Sequence, residues 1–137
     1  MAKKSWHEKL NNPAPPQIKP VPTNMAGMKE GQLMLIPTPR MIDAFVRSLP
    51  NGEGLDMPGL RGALASQEGA EVTCPITTGI HLRTVAEAAY ERHLQGAPLA
   101  DITPFWRVMD KKTPVTKKLA CGVDFVTAQR EREGLAP

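Results

Sequence analysis

Cysteines, histidines and paired lysines are the residue types in this chain that could carry chemistry. Cys74 precedes Pro75 and stands just ahead of a helix expected to start at Thr77 or Thr78. Backbone N–H groups at a helix start lower a thiol pKa, so Cys74 is the candidate reactive thiol. His81, one turn inside that helix, is the base within its reach. The other reading of Cys74 is a small buried hydrophobe. Cys121, between Ala120 and Gly122, reads as packing at a turn. His7, His81 and His93 lack ligand-type spacing: the last two lie about 120° out of register on one helix. No metal or cofactor is therefore expected. There is no phosphate-binding glycine loop, dinucleotide fingerprint or Ser/His/Asp set. The carboxylates are scattered, and Asp56 and Asp124 read as helix caps.

The clearest charged feature is local. The formal net charge is only +3, which permits an anionic partner without demanding one. Between Phe105 and Val123, however, Arg107, Lys111, Lys112, Lys117 and Lys118 face Asp110 alone. The two lysine pairs flank Thr113-Pro114-Val115-Thr116, so a tight loop would carry cations on both arms. Such a loop is either a solvated turn or a phosphate-contacting one. In the second case Arg83, at the front of the preceding helix, is the groove-facing residue.

These residues need elements to position them. Trp6 and Leu10 share one face of a short N-terminal turn. Residues 11–28 hold five prolines and no periodic apolar set, so they read as an extended, polyproline-like linker. Residues 32–36 read as a strand. Thr38 with Pro39 starts a helix whose inward positions are Ile42, Phe45, Val46 and Leu49, and Pro50-Asn51-Gly52 ends it. Asp56 caps a second helix, with Leu60 and Leu64 inward and an end near Gly69. The third helix, residues 78–93, turns Leu82, Val85, Ala86 and Ala89 inward. Residues 102–109 read as a strand, residues 110–120 as a basic hairpin or wing, and residues 125–133 as a last helix capped by Asp124 and stopped by Gly134. The expected class is mainly α with a small β hairpin: a winged helix-turn-helix domain over residues 31–137, carrying an extended Pro-rich arm over residues 1–30.

Several ordered motifs then carry a resemblance. Arg83-Thr84-Val85-Ala86 resembles a recognition-helix motif, Ile102-Thr103-Pro104-Phe105-Trp106-Arg107-Val108 an active-site strand, and Arg130-Glu131-Arg132-Glu133-Gly134-Leu135 the end of a final helix. The family with this order is the DNA-binding domain of the alkylguanine-DNA alkyltransferases and their non-catalytic alkyltransferase-like relatives. Residues 31–137 are similar to it. A bacterial subgroup of that superfamily resembles this chain more closely, sharing the stretches at residues 73–80 and 102–107 and a Ser-Trp arm. The resemblance implies that Arg83 fills the gap left by a flipped nucleotide. It carries Arg107 over as well, in the family mainly a structural neighbour of the pocket, while Thr84 follows Arg83 in the same motif. It also puts Phe105 where the alkyl-accepting cysteine would stand and Trp106 where its histidine partner would, with Met57 at the family's tyrosine. An aromatic ring accepts no alkyl group, so Pro104, Phe105 and Trp106 form a degenerate active-site strand.

The expectation is a non-enzymatic DNA-binding protein of alkyltransferase-like type, with alkylated bases in DNA repair as the lesion class. Arg83, Thr84, Arg107, Lys111, Lys112, Lys117 and Lys118 would contact double-stranded DNA. Two alternatives stand beside it: a protein-interaction module using the N-terminal arm or the Phe105/Trp106 surface, and a thiol function at Cys74. The basic start lacks an apolar core, and no apolar run approaches the ~18 residues of a membrane span, so a reducing, cytoplasmic setting is expected.

Overall fold

Thr38 and Asp56 open the two helices that the sequence marks most plainly. The computed structural model describes residues 4–137; the reading of the basic start at residues 1–3 lies outside the described residues. Helix α1 (Trp6–Leu10) is closed by a reciprocal capping box between Ser5 and Glu8. Helix α2 (Pro39–Ser48) begins where the Met41 N–H donates to Thr38 Oγ1 at 3.1 Å. Helix α3 (Met57–Glu68) begins with Gly59 N–H donating to Asp56 Oδ1 at 2.7 Å. It stops at Gly69, whose φ of 72° lies in the left-handed region that glycine enters without a Cβ penalty.

Helix α4 (Pro75–Leu94) is the 20-residue centre of the molecule. It starts earlier than the threonines suggest, because Pro75 is pre-set for a first helical turn. Its buried side is also broader than one stripe: Thr78, Leu82, Val85, Ala86, Ala88 and Ala89 are all covered. Helices α1 and α2 and the turns after α4 pack around it. Helix α5 (Gly122–Arg132) begins behind Cys121, so Asp124 lies in its first turn and is not its cap. The main core joins Leu35, Ile42, Leu60, Leu82, Phe105 and Val126 across these elements.

The chain is thus mainly helical with a small three-stranded sheet. The sheet lies elsewhere than the sequence suggests. Strand β1 (Gln17–Pro20) pairs antiparallel with β2 (Leu33–Ile36), and β3 (Val72–Thr73) pairs parallel on β2's other side. The expected linker at residues 11–28 therefore contains a strand, and the pairing joins residues on both sides of position 30. Prolines are tolerated there because β1 is an edge strand and Pro20 ends it. Val21 and Met28 behind it are buried with Met34 and Cys74 in a second, smaller core.

Two C-terminal expectations are corrected. Residues 102–109 do not form a strand. Phe105–Arg107 is a 3-10 turn held by local bonds from Arg107 N to Pro104 O at 3.0 Å and from Val108 N to Phe105 O at 3.2 Å. Its apolar side chains are buried on several sides, which an apolar run alone cannot distinguish from a strand. Residues 110–120 do not form a hairpin wing. Asp110 Oδ1 accepts the N–H groups of Lys112 and Thr113 at 2.8 and 3.0 Å, while Thr116 Oγ1 donates to Asp110 O at 2.7 Å. These bonds wind the segment into the 3-10 turn Pro114–Lys118 and bury Thr116. No described helix is long and apolar enough to cross a membrane.

Candidate nucleic-acid interface

The Phe105 to Arg107 turn forms part of the core and does not offer a reading surface. Phe105 has 0% exposure and stacks on Phe125, with ring centroids 6.1 Å apart. Trp106 is buried edge-on to Phe105, and its Nε1 donates to Glu133 Oε2 at 2.6 Å. Arg107 donates from Nε to Glu133 Oε1 at 2.7 Å, from Nη2 to Glu133 Oε2 at 3.2 Å, and from Nη1 to Leu49 O at 2.7 Å. The pair is largely covered, at 13% and 9% side-chain exposure. Arg107, expected on DNA, is instead committed to the fold. Gly52 N–H adds a further bond to Glu133 at 2.9 Å. Burial pushes the Glu133 carboxyl up, but the bonds from Arg107, Gly52 and Trp106 together outweigh it and hold the group below its ordinary range. Arg130 closes the same knot by donating to Trp106 O at 2.7 Å and Met109 O at 3.2 Å. Pro104 lines a 380 Å³ cleft together with Trp106 and Arg107.

The thiols are placed for packing. Cys74 is buried with Val21, Met28 and Met34, and its sulfur accepts the Thr77 hydroxyl at 3.3 Å. Among the described residues no hydrogen bond joins it to His81. That ring lines a groove on α4, and burial lowers its pKa, which favours the uncharged form. Cys121 is half-buried; burial first, and Glu87 second, push its thiol up to about 11. Among the described residues, no three His, Cys, Asp or Glu side chains gather where they could hold a metal ion.

Arg83 sits differently. Its side chain is 39% exposed, on the side of α4 covered by α1. Its guanidinium carbon lies 5.3 Å from the centroid of the Trp6 ring. Nη2 donates to Lys118 O at 3.3 Å, and Nε lies 3.6 Å from Glu87 Oε2. Glu87, buried in α4, also accepts Ala120 N–H at 3.1 Å. Three elements therefore fix Arg83 in place: α1, α4 and the turn ending at Lys118. Thr84, expected to face DNA, is buried, and its hydroxyl donates back to Ile80 O at 3.4 Å.

Around Arg83 opens a 500 Å³ cavity with Trp6, Ile76, Ile80 and Val115 as apolar walls and Lys9 and Lys118 as further cations. A second groove, of 550 Å³, continues from it past the shared residues Lys9, Ile80 and Thr84 to Lys4, Lys19 and His81. Among the described residues no Asp or Glu lines either one. Lys111, Lys112, Lys117 and Lys118 are all exposed, but of these four Lys118 alone lines the Arg83 cavity. Among the described residues no ion pair engages these four lysines. Lys4, Lys9 and Lys19 were missed as a group by sequence reasoning, because they are spread over sixteen positions and only the folded arm gathers them.

Comparison of the chain with protein-family models, with curated proteins and with solved structures returns no match.

Proposed function

We propose that this is a non-enzymatic DNA-binding protein, a winged-helix-type domain of the alkyltransferase-like kind in which the Pro114–Lys118 turn stands where a wing would. Double-stranded DNA lies against the exposed side of the first turns of α4. Arg83, held against Trp6 and Lys118 O, borders a groove, and Lys117 and Lys118 hold phosphates, with Lys111 and Lys112 as outer contacts. The observation that carries this reading is the carboxylate-free cavity around a half-exposed, pre-positioned Arg83. A cation already fixed by its neighbours loses little freedom on meeting a phosphate. Phe105 itself is fully covered and offers no surface to a base, so plain duplex is the proposed ligand and an alkylated base a variant of it.

The test is a binding titration with plain and alkylguanine-containing duplexes at about 50 and 200 mM salt. Four phosphate contacts weaken binding about a hundredfold over that interval. Binding insensitive to salt, or an Arg83→Gln variant with unchanged affinity, removes the reading.

One observation favours a second reading, a protein-interaction module. Ile76 and Ile80, one turn apart on α4, are 56% and 61% exposed beside Trp6. Were that apolar pair the interface, duplex binding would be absent and Ile80→Lys would abolish association with the protein partner.

A further inference from the structure

We infer that the N-terminal arm is a second limb of the DNA interface, extending the phosphate track from Lys118 and Arg83 through Lys9 to Lys4 and Lys19. This rests on the DNA-binding reading and adds to it a surface supplied by residues 4–20.

The arm is held at both ends. At one end α1 docks on α4: His7 N–H donates to Glu91 Oε1 at 3.3 Å, and the Trp6 ring lies against Arg83. At the other end β1 is locked into β2 through the register from Gln17–Ile36 to Pro20–Leu33. Between them residues 11–16 are exposed, and Pro13, Pro15 and Pro16 restrict their backbone. A five-residue helix has little stability alone, so docking on α4 is what keeps it in place.

The result is a directed distribution of charge. Lys4 and Lys9 come from one end of the arm and Lys19 from the other, yet all three line one groove. That groove meets the Arg83 cavity at Lys9. Among the described residues, Lys4, Lys9, Lys19 and Lys118 thus border two adjoining grooves that no carboxylate lines, with Arg83, paired to Glu87, between them. The acid within residues 4–20, Glu8, accepts the Ser5 backbone N–H in the capping box and lines neither groove. Glu91 accepts the His7 N–H. Burial of His81 disfavours its charged form. A line of separated cations matches a repeating polyanion, and the phosphate backbone of duplex DNA is the partner to which we assign it. Trp6 acts as a positioning residue: it holds Arg83 and keeps Lys9, whose Nζ lies 4.2 Å from the same ring, at the junction of the two cavities.

The test uses the full chain and a labelled mixed-sequence duplex, with affinity measured from low to moderate salt. In a Lys4→Gln, Lys9→Gln, Lys19→Gln variant, the slope of log affinity against log salt should shrink by about 0.9 for each phosphate no longer neutralised, up to about 2.7 in all. All three side chains are exposed, so the fold should survive. Trp6→Ala should weaken binding in the same direction. An unchanged slope in the triple variant, with normal binding by the parent, overturns the arm's role and leaves the DNA-binding reading standing. Tighter binding by the triple variant or by Trp6→Ala would make the arm a cover and likewise overturns its role. Failure of the parent to bind duplex even at low salt overturns both.

Discussion

Glu133 and Arg107 form a two-pronged ion pair, with Nε to Oε1 at 2.7 Å and Nη2 to Oε2 at 3.2 Å, and it ties the end of α5 to the turn after α4. The carboxylate also takes Trp106 Nε1 and Gly52 N–H. Losing one member of a covered pair strands the other without a counter-charge, at a cost of about 3 kcal/mol. Glu133→Gln and Arg107→Ala should each lower the urea midpoint accordingly. The same Arg107 variant, measured under conditions where it is folded, should leave the salt slope of DNA binding unchanged. A change of about one unit in that slope would return Arg107 to the interface.

The acid limb of stability should follow two carboxylates. Glu133 is held below its ordinary 4.5, and Asp110 below its ordinary 3.8 because its bonds to Lys112 and Thr113 outweigh burial. Each binds fewer protons folded than unfolded, so its contribution is complete above the unfolded value and is lost as pH falls through the folded one. Urea midpoints should hold steady down to about pH 5 and decline below it. Glu133→Gln should flatten part of that decline; an identical acid profile in the variant would disprove the assignment.

Placing sulfur at the degenerate position should not create an alkyl acceptor. Phe105 is fully covered and stacked on Phe125. Phe105→Cys should cost about 3 kcal/mol through the cavity it leaves. The variant should take no label from an alkylguanine oligonucleotide in the native state. Stoichiometric alkyl transfer to the introduced thiol would show that a base does reach this turn.

Thiol labelling of the native chain should be slow. Cys74 is buried, and Cys121, raised to about 11 from 9.0, carries about a hundredfold less thiolate than a free cysteine. Mass spectrometry after brief exposure to a thiol reagent near neutral pH should find little adduct at either site. Rapid modification at Cys74 would revive the thiol reading.

Helices α2 and α3 were legible because caps and apolar spacing agree at Thr38, Asp56 and Gly69. Helix α4 was legible in its interior, and less so at its start, where Pro75 outweighed the threonines. Strand β1 was hidden by its flanking prolines, and the turn at residues 102–109 by an apolar run that fits more than one structure. The basic segment at residues 110–120 depended on Asp110, Thr113 and Thr116 side chains bonding locally, which no periodicity reports. At the candidate site, Arg83 and Lys118 were named, but their adjacency across 35 positions is a product of folding. The partner of Arg107 was equally remote, so its charge was read as free.

Strand β1 leaves the sheet with an open side, and the prolines around it govern what can join there. Pro15, Pro16 and Pro20 bracket only three residues with backbone N–H groups, and Lys19 adds charge along the rim. Another copy of the chain would find few donors with which to lengthen the ladder, which disfavours edge-to-edge pairing at this border.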